Sequence, residues 1–198
     1  MRTFLLTPVL IALAVIAASG QQPTAPHDSA PHPAAGSGLK KELFAGITEA
    51  DFLKLGDQPK TAKIIMVAAY TDANYGMNFN GYSHGKATYT IPVGWTVEVT
   101  FINPSPVPHS ALVVEREMTR KPQMGEPSFK GASVPNPVVG MSLSKASFTF
   151  TASEAGDYAL ACGFPTHASA GHWLALDVSA SATAPSLKLG DGPAKEAK

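Results

Sequence analysis

Apolar and polar residues alternate most regularly in residues 94–102, GWTVEVTFI, where Trp95, Val97, Val99 and Phe101 fall on one side and Thr96, Glu98 and Thr100 on the other. A period of two is the signature of a β-strand lying with one face on a core. KATYTI (86–91), HSALVVE (109–115), KASFTFTA (145–152), DYALACG (157–163) and HWLALDV (172–178) continue the pattern, and AKIIMVAAY (62–70) is an unbroken apolar run of strand length. Turn-forming clusters such as NFNG, IPVG and NPSPVP separate these stretches. Seven or eight short strands so punctuated predict one all-β domain over residues 61–180, a β-sandwich or a barrel. Phe79, Trp95, Phe101, Phe148, Phe150 and Trp173 are assigned to its packing. Residues 115–142 form a connection longer than packing requires, expected to cover a site or to dock a partner.

Ahead of the strands the periodicity changes. Leu39, Leu43, Phe44 and Ile47, then Phe52, Leu53 and Leu55, recur at roughly helical spacing, and Thr48 with Asp51 makes a capping box. Residues 39–60 are therefore expected to be a short helical lead-in. Residues 21–38, QQPTAPHDSAPHPAAGSG, have almost no large apolar side chain and read as a flexible linker, with His27 and His32 as solvated residues. Residues 181–198 are expected to be a disordered tail. The first 20 residues have a positive start at Arg2, an apolar run from Phe4 to Ala18 and small residues before Gln21. That layout predicts a signal peptide, hence a periplasmic or other extracytoplasmic location, with an uncleaved membrane tether as the alternative.

Composition narrows the function. Among 198 residues, 15 Lys and Arg balance 15 Asp and Glu, so the formal net charge is zero and the basic surface that nucleic acids require is missing. There is a single cysteine, which in an exported chain has no internal disulfide partner. It is either a buried inert thiol or a held one.

That cysteine lies in Cys162–Trp173, CGFPTHASAGHW, followed after four residues by His167 and after four more by His172. A cysteine closing one strand and a histidine on the following loop reach a common point, and the neighbouring strand supplies His109 at its mouth. The resulting two-imidazole, one-thiolate set suits copper, with zinc as the other plausible occupant. A cysteine nucleophile is disfavoured because no orienting Asn or Asp is evident nearby. Met77 and Met141 are assigned to packing, and His84 to an exposed turn.

Taken together, YTIPVGWTVEVTFINPSPVPHS (89–110), AGDYALACGFPTHASAGHW (155–173) and MNFNGYSHG (77–85) resemble the cupredoxins, and within them the sulfocyanin group, with rusticyanin as a relative. The resemblance spans about residues 62–179. It implies a Greek-key β-sandwich, one mononuclear copper ion and single-electron transfer without a bound substrate, so a carrier and not an enzyme. Carried over by position, His109, Cys162 and His167 are the equatorial ligands, and Ser110 steadies the ligand loop by hydrogen bonding. Where those families place a weak axial methionine, this chain has His172; the alternative is that His172 is no ligand and that water, a carbonyl or another side chain takes that position. As a stronger and harder donor, an axial imidazole is expected to favour Cu(II), lower the reduction potential and shift the colour away from intense blue. It is also expected to make the site acid-sensitive near neutrality. Expected partners are a cytochrome or a membrane oxidase, meeting the His167 edge beside Phe164 and Pro165, and the protein is expected to be a monomer. A copper-delivery or storage protein, and a small copper redox enzyme or ligand sensor with an open coordination position, are the other readings.

Overall fold

The computed structural model describes residues 38–198; the expected signal peptide (1–20) and all of the expected linker but its last residue lie outside the described residues. The alternating stretches become strands at nearly their expected places: β2 (Thr61–Val67), β3 (Ala87–Pro92), β4 (Thr96–Asn103), β5 (Leu112–Glu115), β6 (Ser144–Thr151), β7 (Gly156–Ala161) and β8 (Trp173–Ser179). Three short strands join them, β1 (Leu53–Leu55) before and β9 (Ser186–Leu189) and β10 (Lys195–Glu196) after. They form a four-stranded sheet in the order β1-β2-β4-β6 and a six-stranded sheet in the order β10-β9-β3-β8-β7-β5. The chain crosses between layers, so that β2 and β4 are parallel neighbours although β3, which separates them in sequence, lies in the other sheet. This is the crossed connectivity of a Greek-key β-sandwich, as expected.

The alternation explains why the sheets face each other. On β4, Val97, Val99 and Phe101 are buried, whereas Thr96, Glu98 and Thr100 are only partly so. Their antiparallel partners on β6, Phe150, Phe148 and Ala146, extend the same face. Against it pack Tyr89 and Ile91 from β3, Leu160 from β7, and Leu174 and Leu176 from β8. Each fully buried large side chain contributes roughly 1.5–3 kcal/mol relative to exposure. The outer face of the larger sheet is covered separately, where Leu112, Val114, Ala159 and Ala161 pack with Met124 and Ala168.

Two expectations need correction. The lead-in is helical only as single 3-10 turns at Lys41–Leu43 and Glu49–Asp51, after which Leu53–Leu55 is β1. The capping pair is present, with the Thr48 amide donating to Asp51 at 2.8 Å. Extended pairing prevails beyond it because β1 fills the open edge of β2 and buries Leu53. Nor is the tail disordered: β9 pairs with β3 and buries Leu187, and the Leu55 amide donates to the Lys198 carbonyl at 3.2 Å. The 115–142 connection has an inner and an outer part. Phe129 and Val134 enter the core, and residues 136–141 reach the strand mouth at His109.

Candidate metal centre

Strand register brings the donors together. Leu112 of β5 stands opposite Ala161 of β7, which stands opposite Trp173 of β8. The residues just outside that row, from His109 to Ala111, Cys162, and His172, therefore share one end of one sheet. Alternation sets their direction. Ala111, Leu160 and Leu174 face the core, and a period of two turns His109, Cys162 and His172 to the same side. His167 lies on the connection between Cys162 and His172.

All four predicted side chains meet: one ligand atom from each of His109, Cys162, His167 and His172 lies within 4.8 Å of every other. Nδ1 of His109 is 3.2 Å from Nδ1 of His167, which is 3.5 Å from Sγ of Cys162. His109, Cys162 and His172 are buried and His167 is partly exposed. His172 has no solvent exposure, and among the described residues neither ring nitrogen has a hydrogen-bond partner. The Asn78 backbone lies against that ring and favours its charged form weakly, without hydrogen-bonding geometry.

Burial dominates the electrostatics. It pushes His109 down to about 3, with His167 adding repulsion, and lowers His167. His172 falls well below the ordinary imidazole range, by burial first and then by His109 and His167. All three rings are thus neutral, as ligation requires. Desolvation disfavours the protonated form of His172 and so runs against the acid sensitivity expected near neutrality. Burial raises the Cys162 thiol, opposed chiefly by the Ser110 amide, which donates to Sγ at 3.4 Å. The Ser110 hydroxyl lies 3.8 Å from Sγ and accepts from the Gly163 amide at 2.8 Å, the bracing expected of it.

The ligand loop is closed on itself, the Cys162 amide donating to the His172 carbonyl and the His172 amide to the His167 carbonyl, both at 3.0 Å. It is also tied from outside. Asn74 Nδ2 donates to the Ala170 carbonyl at 2.9 Å, and the His84 amide to the Gly171 carbonyl at 2.7 Å. Gly171 has φ +97, and a Cβ there would run into the His84 ring. The His109 backbone pairs in both directions with Met141, and buried Asn103 donates to the carbonyls of Val107 and Met141. The chain before β3 and the 136–141 loop thus hold the site, roles that the sequence reading did not give to Asn74, Asn103 or Met141. Their only signal was polar and glycine residues within turns. His84 is exposed, as expected, but its ring serves as a wall for the loop.

The donor set suits a borderline or soft ion: three neutral nitrogens and a sulfur, all but His167 buried, with one imidazole lacking a hydrogen-bond partner among the described residues. Copper fits it, and so does zinc on donor type alone.

Comparison with known proteins identifies the family. The family model described as Sulfocyanin (SoxE) domain matches residues 49–188. A sulfocyanin of Sulfolobus acidocaldarius is 36% identical over 132 residues, 61% of this chain, and the chain spans 64% of that relative's length. Rusticyanin from Thiobacillus ferrooxidans is 23% identical, covering 66% of this chain and 89% of that one, with a TM-score of 0.39. Dithionite-reduced auracyanin from Roseiflexus castenholzii is 20% identical, covering 59% of this chain and 96% of that one, also with a TM-score of 0.39. With the sulfocyanin domain matching residues 49–188, most of the chain, and both donor-bearing segments inside the match, this chain belongs to the sulfocyanin family of cupredoxins.

Proposed function

We propose that the protein is an extracytoplasmic carrier of single electrons that holds one copper ion between His109, Cys162, His167 and His172. The observation that carries this reading is the convergence of three neutral imidazoles and a thiol, one imidazole buried with both nitrogens unpaired. Buried polar groups in native proteins are nearly always satisfied, and an ion taking one of those nitrogens supplies the missing partner.

Copper supplies the one-electron couple between Cu(II) and Cu(I). The protein's part is to keep the donors still. The loop ties from Asn74 and His84, the Met141 pairing at His109 and the Ser110 bridge to Gly163 leave the donor atoms little freedom to rearrange with charge. Ser110 directs its amide and its hydroxyl toward Sγ and so moderates the charge that a thiolate develops there. His172, a stronger donor than a thioether, favours the oxidised ion and lowers the reduction potential relative to a methionine-bearing site.

His167 is the ring nearest solvent and marks the edge for electron exchange. Val107, Val138 and Val139 are exposed on the two segments that meet at His109, an apolar rim suited to a brief, small-area encounter with a cytochrome or membrane oxidase. Delivery or storage of copper, and binding of an external ligand, fit less well: three of the four donors are buried, and His172 has no exposed surface.

The test is titration of the metal-free chain with Cu(II), followed by absorption and electron paramagnetic resonance. A thiolate-to-copper charge-transfer band saturating at one ion per chain and absent from Cys162→Ser is expected. A chain without that band, or a Cys162→Ser variant that keeps it, overturns the reading.

A further inference from the structure

A ligating histidine ordinarily donates its second ring N–H to a carboxylate, a carbonyl or water, and that outer bond fixes the ring's orientation. Among the described residues His172 has no such bond at either nitrogen, the Asn78 backbone lying against the ring without hydrogen-bonding geometry. Its ring is instead packed between two others. The Phe79 centroid lies 4.0 Å from it with the planes inclined at 37°, and His109 stands edge-on at 4.7 Å and 80°. Phe79 is fully buried and is backed by Phe101, edge-on at 6.2 Å.

The backbone holding Phe79 is unusually constrained. Its amide and carbonyl both pair with Tyr82, at 3.0 and 2.8 Å. The next residue, Asn80, is buried in the left-handed region (φ 55). Its Oδ1 accepts from the Val67 amide at 2.7 Å, and its Nδ2 donates to the Ile65 carbonyl at 2.8 Å. The Phe79 ring is therefore riveted to β2, on the sheet opposite the one that carries His172.

We infer that Phe79 is the positioning residue of His172, its ring face doing for this imidazole what an outer hydrogen bond does elsewhere. The inference rests on His172 being a metal ligand. A ring face resists tilting but leaves the imidazole free of the basicity that a bound carboxylate adds, so His172 is an oriented donor, weaker than a carboxylate-bound histidine though still stronger than a thioether. An imidazole accordingly occupies the family's methionine position without being locked to an outer acceptor.

The experiment compares Phe79→Leu, Phe79→Tyr, Phe101→Leu and His172→Met in the full chain, measuring Cu(II) dissociation constants and the paramagnetic resonance and charge-transfer spectra. Phe79→Leu is expected to weaken Cu(II) binding about tenfold, the lower end of what loss of an outer-shell partner does, and to shift both spectra. Phe79→Tyr, which keeps the ring plane, should match the wild type. Phe101→Leu lowers the melting temperature as a core truncation and leaves the spectra unmoved. In metal-free wild-type protein, nuclear Overhauser contacts between the Phe79 and His172 rings are expected whether or not any variant folds, and their absence overturns the inference. Spectra shifted by His172→Met but not by Phe79→Leu overturn it alone. Spectra unmoved by His172→Met overturn it together with the assignment of His172 as a ligand.

Discussion

In the metal-free protein His172 is a liability, and replacing it should stabilise the fold. The perturbation is His172→Met, a change of similar volume to a side chain that needs no hydrogen bond. A buried group left without its partner costs about 1–3 kcal/mol, and both nitrogens of His172 are in that state. Against this stands the repacking cost of a volume-conserving swap, below about 1.5 kcal/mol. The lost Phe79 stack is offset by a sulfur contact to the same ring, about 0.3–1.5 kcal/mol. The relief wins by about 1 kcal/mol, or about 2–4 °C in melting temperature for a chain of this size. The assay is thermal unfolding with a chelator at pH 7.5, above the ordinary imidazole range, so that protonation of the unfolded chain contributes little. Saturating Cu(II) should reverse the order, because each tenfold loss of affinity removes about 1.4 kcal/mol of ligand stabilisation. A metal-free His172→Met protein that melts several degrees below the wild type would show instead that the imidazole is satisfied within the fold.

Three further outcomes are expected. Ser110→Ala strands the buried Gly163 amide, lowering stability by about 1–3 kcal/mol, and removes a hydroxyl facing Sγ; voltammetry of the copper-loaded variant should show a lower potential, and an unchanged potential with a lowered melt would make Ser110 a brace alone. Gly171→Ala incurs about 1–2 kcal/mol from the left-handed backbone plus the clash with His84, so adding His84→Ala should recover only the clash, and full recovery in a double-mutant cycle contradicts the backbone argument. The Asp51 carboxyl is held down to about 2 by the Lys54 ammonium first and then by Thr48; with the folded value below the unfolded 3.8, the stability it contributes is complete above that value and lost as pH falls toward 2. Carboxyl resonances titrating near 3.8 would show that the capping pair does not persist in solution.

The parts of the sandwich legible in the sequence are those where one side chain's neighbours are two residues away. Val97, Val99 and Phe101 read as a buried face because alternation and β-propensity agree over a full strand. Leu187 and Leu189 alternate too, but within a window of Pro, Gly, Ala and Lys too short to stand out, and only the open edge of β3 makes them a strand. Phe52 and Leu53 show the reverse failure. Their spacing suits a helix, but the edge of β2 offers hydrogen bonds that a second helical turn does not match. At the site, His109, Cys162 and His167 were legible because their chemistry is rare in such a sequence and their placing follows strand ends, and His172 because it stands where the resembled family has its methionine. Phe79 was not, since a phenylalanine in a turn carries no mark of what its face will meet.

Residue identity and local backbone period are enough for the strand alternation, the donor types and the order in which they occur. Only packing of the whole chain brings β5, β7 and β8 to end in one row, lets the tail close a sheet edge, and leaves both ring nitrogens of His172 without a hydrogen-bond partner among the described residues, against an aromatic ring whose backbone is tied to the opposite sheet. Those outcomes depend on contacts between residues far apart along the chain, whose geometry is set by packing of the whole core and is written in no single stretch of it.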